Sequence, residues 1–160
     1  MNNRRSFIVG IKSIKLSSKE KLFLKKYRPW GIILFSRNIR NIKQTKILTS
    51  TIRKIFNDKY YPILIDQEGG RINRLKDLIS LDNFTSEFFG KIFVKNEEEF
   101  KLYYKLFVDK TSYLLNLMGI NINTSPVLDL RIKGSSKIIG DRSFSNNPKL
   151  VSKIGDYCIR

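Results

Sequence analysis

Short apolar runs of strand character alternate with amphipathic helical patterns along the chain, and that alternation admits few folds. Strand candidates are Phe7–Ile11, Ile32–Phe35 and Ile63–Ile65, and Ile120–Asn123 leads into a fourth and on to Pro126–Leu130. Between them, Ser17 and Glu20 have capping-box spacing, which predicts a helix opening there and running to about Tyr27. Pro29-Trp30-Gly31 breaks it. Asn41 caps a second helix, whose Leu48, Ile52, Ile55 and Phe56 share one face. A long connection runs from Gly69 to about Asn96 and holds Phe84, Phe88 and Phe89. A loop of that length in a compact domain is usually functional. Glu97–Met118 reads as the clearest helix, with Phe100, Tyr103, Tyr104, Phe107, Leu114, Leu115 and Met118 in an apolar stripe. Glutamates crowd its positive N-terminal end, and Gly119 sits where a helix-ending glycine belongs. Pro148 opens a last helix.

Strand followed by helix, four times over, predicts an α/β fold with a parallel sheet and right-handed crossovers. A closed (β/α)₈ barrel takes about 250 residues. Four parallel βα units are half of one, and residues 1–160 are expected to form one domain.

The bulk numbers narrow the class. With 31 Lys and Arg against 14 Asp and Glu, the net charge is +17. That charge invites a nucleic-acid reading, but the cations are dispersed from Lys12 to Lys153 and form no block. They read instead as a coating that draws acidic ligands through a long-range field. No apolar run approaches the ~18 residues that span a bilayer. The basic start is followed by an apolar run too short for a signal peptide. The single cysteine, Cys158, excludes an internal disulfide framework and fits a reducing compartment. The expectation is a cytoplasmic protein that binds neither nucleic acid nor membrane. Histidine is absent and no zinc-ligand spacing occurs.

Chemistry gathers after the strands. Asp66-Gln67-Glu68-Gly69-Gly70-Arg71 follows the buried-strand pattern Tyr61-Pro62-Ile63-Leu64-Ile65. Ionisable groups at the tip of a buried strand are costly unless paired or used. Ser36, Arg37 and Asn38 follow the second strand, Arg74 the third, Asp129 the fourth, and Asp141 and Arg142 lie further on. In a parallel sheet all of them fall on one rim. Carboxylates that accept from hydroxyls and guanidiniums that donate to them suit a polyhydroxylated ligand. Asp66 either contacts ligand or caps the loop through backbone amides. Gly69-Gly70 marks a tight bend, close backbone approach to a ligand, or both. Glu68 reads as a salt-bridge partner for a nearby arginine. Asp129 reads either way, Arg37 reads as structural ahead of functional, and Asp141-Arg142 is a candidate local ion pair.

At these residues the chain resembles glycoside hydrolase family 3, and within it the bacterial cytoplasmic β-N-acetylhexosaminidases of peptidoglycan recycling. The resemblance rests on Gly31-Ile32-Ile33-Leu34-Phe35-Ser36-Arg37-Asn38, on Asp66-Gln67-Glu68-Gly69-Gly70-Arg71-Ile72-Asn73-Arg74, on Ser125-Pro126-Val127-Leu128-Asp129-Leu130 and on Ile139-Gly140-Asp141-Arg142-Ser143-Phe144. The second and fourth segments are the specific ones. The resemblance implies that residues 1–160 form one partial barrel domain, the N-terminal half of a TIM barrel, and it implies retaining release of terminal β-linked N-acetylglucosamine, sugar-binding roles for Asp66, Arg74 and Arg142, and neither metal nor organic cofactor. It also implies an acid/base histidine and a nucleophilic aspartate on later segments, which have no counterpart among these residues.

The expected function is thus glycoside hydrolysis of peptidoglycan fragments, with this chain supplying sugar-binding residues and no catalytic group. The chain, stopping at Arg160 inside an amphipathic pattern, is expected to be inactive alone and to self-associate through open barrel edges. A non-catalytic sugar-binding remnant and a family 3 β-glucosidase are the competing readings.

Overall fold

The computed structural model of the protein describes residues 4–134 and 136–159. Four parallel strands, β1 (Arg5–Gly10), β2 (Pro29–Leu34), β3 (Ile63–Ile65) and β4 (Ile122–Asn123), form one sheet in chain order. Helix α1 (Ser18–Tyr27) connects β1 to β2, and α2 (Ile42–Phe56) connects β2 to β3. Helices α3 (Ser86–Lys95) and α4 (Glu97–Leu117) lie between β3 and β4, and α5 (Pro148–Ile159) follows β4.

The expected caps are present. The Ser17 hydroxyl accepts from the Glu20 amide while the Glu20 carboxylate accepts from the Ser17 amide, which satisfies two otherwise orphaned donors. Asn41 accepts from the Gln44 amide at the start of α2. Arg28 and Asn57 end α1 and α2 in the left-handed region, at φ 47° and 49°.

Two segments differ from the sequence reading. The connection from Gly69 to Asn96 is not one long loop, because its second part folds into α3. Thr85 caps that helix by accepting from the Phe88 amide, and Phe89 is buried on it. A mid-helix glycine, Gly90, weakens the local helical signal and hides the element. The fourth strand is also shorter than expected. Thr124 still donates its amide to the Ile65 carbonyl at 3.0 Å, but Pro126 brings no N–H to a ladder. Residues 126–130 accordingly lie outside the sheet.

The chain divides into two compact units. The first comprises the chain up to Asp66, Arg74–Ile79 and Thr111–Thr124. It holds the whole sheet, and its core gathers Leu24, Ile32, Leu34, Ile52, Tyr61, Ile63, Ile65, Met118 and Ile120. All three β3 residues are buried, as expected of a central strand in a parallel sheet. Asn38 is fully buried here. Its amide donates to the Ile11 and Ser13 carbonyls, and its side-chain oxygen accepts from the Phe35 amide.

The second unit comprises Gln67–Asn73, Ser80–Lys110 and the chain from Ser125 onward. Its core is Phe89, Phe100, Tyr104, Phe144, Val151 and Ile154. Rings meet there edge-on or stacked, with Phe89 and Tyr104 centroids 5.0 Å apart and Phe100 and Tyr104 5.2 Å apart. Tyr103, expected in the α4 stripe, is instead exposed. Phe100, Tyr104 and Phe107 recur at intervals of four and three and carry the packed face.

Candidate active site

In the first unit the candidate residues stand at the carboxyl ends of β2, β3 and β4. Asp66 follows β3 directly. The Thr124 hydroxyl, just past β4, donates to its Oδ1 at 2.5 Å, and Arg74 Nη2 lies 3.6 Å from its Oδ2. That second separation is an ion pair without a direct hydrogen bond. A carboxylate and a guanidinium so spaced offer acceptor and donor to the same hydroxyl-bearing ligand. Phe35, at the tip of β2, lies under two cations, with the Arg37 guanidinium 4.5 Å and the Arg74 guanidinium 5.4 Å from its ring centre. Arg37 is further held by donating to the Ile11 carbonyl at 3.0 Å. That contact gives Arg37 the structural task that its sequence context favours.

In the second unit, the turn after Gln67 and the segment 137–142 form a small cleft lined by Glu68, Gly69, Gly70, Arg71, Thr85, Ser86, Asp141 and Arg142. Two ion pairs cross it. Arg142 donates from Nε and Nη2 to the two oxygens of Glu68, both at 2.8 Å. Arg71 donates from Nε to Asp141 at 2.9 Å, and its Nη2 reaches the carbonyls of Lys137, Ile138 and Ile139. The sequence neighbours Asp141 and Arg142 thus each face a residue of the 68–71 turn. Glu68 is the arginine partner that its sequence context suggests.

Glycine is required at that turn for steric reasons. Gly69 has φ +89°, and a Cβ there would meet the Phe84 carbonyl oxygen at 2.2 Å. Gly70 has φ +53°, and a Cβ would meet Thr85 Cγ2 at 2.6 Å. The doublet therefore serves a tight bend packed against neighbouring backbone.

Asp66 and Arg74 are brought together in the first unit, whereas Arg142 belongs to the second with Glu68. Asp129 lends its backbone carbonyl to the Ser143 hydroxyl at 2.6 Å. Thr124 was missed by the sequence reading; a polar residue at the tip of the fourth strand was its only signal. Gly90 was missed as well, with α3. Burial pushes the Cys158 thiol up, the reverse of an activated nucleophile. Among the described residues no cluster of His, Cys, Asp and Glu is arranged to hold a metal ion, and no helix is long and apolar enough to cross a membrane.

The sequence pattern of the glycosyl hydrolase family 3 N terminal domain matches residues 6–160. The chain belongs to glycosyl hydrolase family 3. Among this family 3 chain's relatives, a β-hexosaminidase of Hydrogenovibrio crunogenus is 36% identical over 154 residues, covering 96% of this chain and 42% of the relative. A β-hexosaminidase of Neisseria gonorrhoeae is 31% identical over 156 residues, covering 94% of this chain and 41% of the relative. The family 3 chain thus spans about two fifths of the length of these relatives. Its fold is similar to that of NagZ from Neisseria gonorrhoeae in complex with N-trifluoroacetyl-D-glucosamine, with TM-score 0.84 and 30% identity over 96% of this chain and 46% of that one. The parallel four-stranded α/β arrangement matches the TIM-barrel-like N-terminal domain of that enzyme.

Proposed function

We propose that this family 3 chain supplies the sugar-binding residues of a glycoside hydrolase that releases terminal β-linked N-acetylglucosamine from peptidoglycan fragments with retention of configuration. Asp66, Arg74 and Arg142 are the binding residues in this reading. The observation that carries it is the Asp66, Thr124 and Arg74 cluster at the strand tips. At the carboxyl end of a parallel sheet, an oriented carboxylate beside a guanidinium is equipped to take neighbouring pyranose hydroxyls. The N-acetylglucosamine analogue bound by the Neisseria gonorrhoeae neighbour supports the sugar class.

Retaining hydrolysis needs a nucleophile and an acid/base group. The 160 residues contain no histidine, and the reading assigns catalysis to none of them. We assign the reaction to the cytoplasm, without a cofactor.

Titrating the chain with N-acetylglucosamine, followed by calorimetry or amide shifts, tests the proposal. Saturable binding that Asp66→Asn and Arg74→Gln each weaken at least tenfold is expected. A parent chain that binds no sugar would overturn it. A chromogenic N-acetylglucosaminide should not be turned over by the 160-residue chain, and turnover abolished by Asp66→Ala would show the catalytic groups to be misassigned.

A further inference from the structure

We propose that Glu68 is a positioning residue that both fixes the Arg142 guanidinium and cancels its charge, so that Arg142 favours a neutral pyranose over a carboxylate-bearing one. The inference rests on Arg142 contacting sugar and goes beyond it by naming what sets the selectivity.

The geometry is bidentate. The Nε and Nη2 of Arg142 sit 2.8 Å from the two Glu68 oxygens, which fixes the plane of the guanidinium as a single hydrogen bond would not. Glu68 is itself held by a tight turn, where its amide donates to the Ile72 carbonyl at 3.2 Å and the Ile72 amide donates to the Gly69 carbonyl at 3.1 Å. The Glu68 side chain is 7% exposed and that of Arg142 21%, so water screens the pair weakly. The second pair, Arg71 with Asp141, is also neutral, and Arg71 clamps the segment bearing Arg142 through three carbonyls. The ionised groups lining the cleft are therefore two cations and two anions. An arrangement with balanced charge donates directionally to hydroxyl or amide oxygens but offers no net attraction to an anion. A carboxylate-bearing ring must be desolvated against Glu68 and Asp141, which rejects it.

Replacing Glu68 with Gln keeps the size, removes the anion and leaves the cleft with net charge +1. Binding of N-acetylglucosamine and of glucuronate to the 160-residue chain should then move in opposite directions. A loss of about tenfold for the neutral sugar and a gain of about tenfold for the acid are expected. Glu68→Asp keeps the charge but shortens the reach, so it should weaken N-acetylglucosamine and still reject glucuronate. The Arg142 Nε–H resonance, assigned by its loss in Arg142→Lys, should shift in Glu68→Gln while that of Arg71 stays.

Equal weakening of both sugars by Glu68→Gln, as from general loosening of the fold, would overturn the proposal, as would an unmoved Arg142 Nε–H signal. If the parent chain bound neither sugar, the functional reading and the selectivity would both fall. The Nε–H signal would still decide whether Glu68 orients Arg142. If Glu68→Gln failed to fold, Glu68→Asp would carry the test, and a gain in glucuronate affinity there would overturn the charge argument.

Discussion

Arg142 lays the Nε–Nη2 edge of its guanidinium across both carboxylate oxygens of Glu68, at 2.8 Å each. The two residues are 74 positions apart in sequence, so the pair closes a long loop and anchors the segment 137–142 onto the turn at Glu68. Lysine cannot reproduce two parallel hydrogen bonds from one planar group. Arg142→Lys is expected to cost about 1–2 kcal/mol and Arg142→Ala about 3 kcal/mol, because the latter leaves a sheltered carboxylate with its main partner gone. Urea unfolding of the three proteins checks the order, and equal midpoints would remove the pair from the stability argument.

Gly90 packs its backbone against the segment that follows Arg142. A Cβ at Gly90 would lie 1.9 Å from the Phe144 carbonyl oxygen, and backbone cannot rotate out of the way as a side-chain tip can. Gly90→Ala should therefore destabilise by about 1–3 kcal/mol despite the better helix propensity of alanine. Sugar binding should weaken with it, since Phe144 and Arg142 share one short segment. Thermal melting and the N-acetylglucosamine titration read the two effects separately.

Thr124 orients Asp66 through its hydroxyl. Thr124→Val keeps the shape and deletes the donor, so the fold should stand while N-acetylglucosamine affinity falls about fivefold to tenfold. Thr124→Ser should restore most of it. A valine variant with unchanged affinity would show that Asp66 needs no such support.

Glu87, in the first turn of α3, accepts from Arg131 at 2.7 Å. That hydrogen bond, foremost, and the nearby Lys91 charge hold its carboxyl below the usual carboxylate value, against a smaller opposing effect of burial. A carboxyl depressed in the folded state stabilises above its unfolded pKa, and the contribution fades as pH falls through the folded pKa. The stability advantage of the parent over Arg131→Gln should hold at neutral pH and shrink in the acid range below about pH 4. Denaturation midpoints of both proteins across that range test the sign, and an advantage that grew on acidification would refute it.

The outer strands of the sheet, β1 and β4, each pair on one side only among the described residues. Leu102 and Leu106, on an exposed face of α4, are 65% and 54% exposed. Open edges and apolar faces favour association, whereas Arg5 on β1 and the net charge of +17 oppose it. The isolated chain should sediment as concentration-dependent oligomers, more so at high salt, where charge repulsion is screened. A single monomer boundary at all concentrations and salts would count against this.

Local chemistry was legible because it is local. The strand and helix alternation, the Ser17–Glu20 box, the Asn41 cap and the strand-tip position of Asp66 each depend on residues within a few positions of one another, and sequence spacing determines them directly. Helix α3 escaped because Gly90 breaks its pattern for a reason only the fold supplies, the approach of the Phe144 backbone. The pairing of charges was equally out of reach. Asp141 and Arg142 look like each other's partners when read in order, yet they face Arg71 and Glu68. Which oppositely charged groups meet is settled by the path of the backbone between them, and over about seventy residues that path exists only in the folded chain.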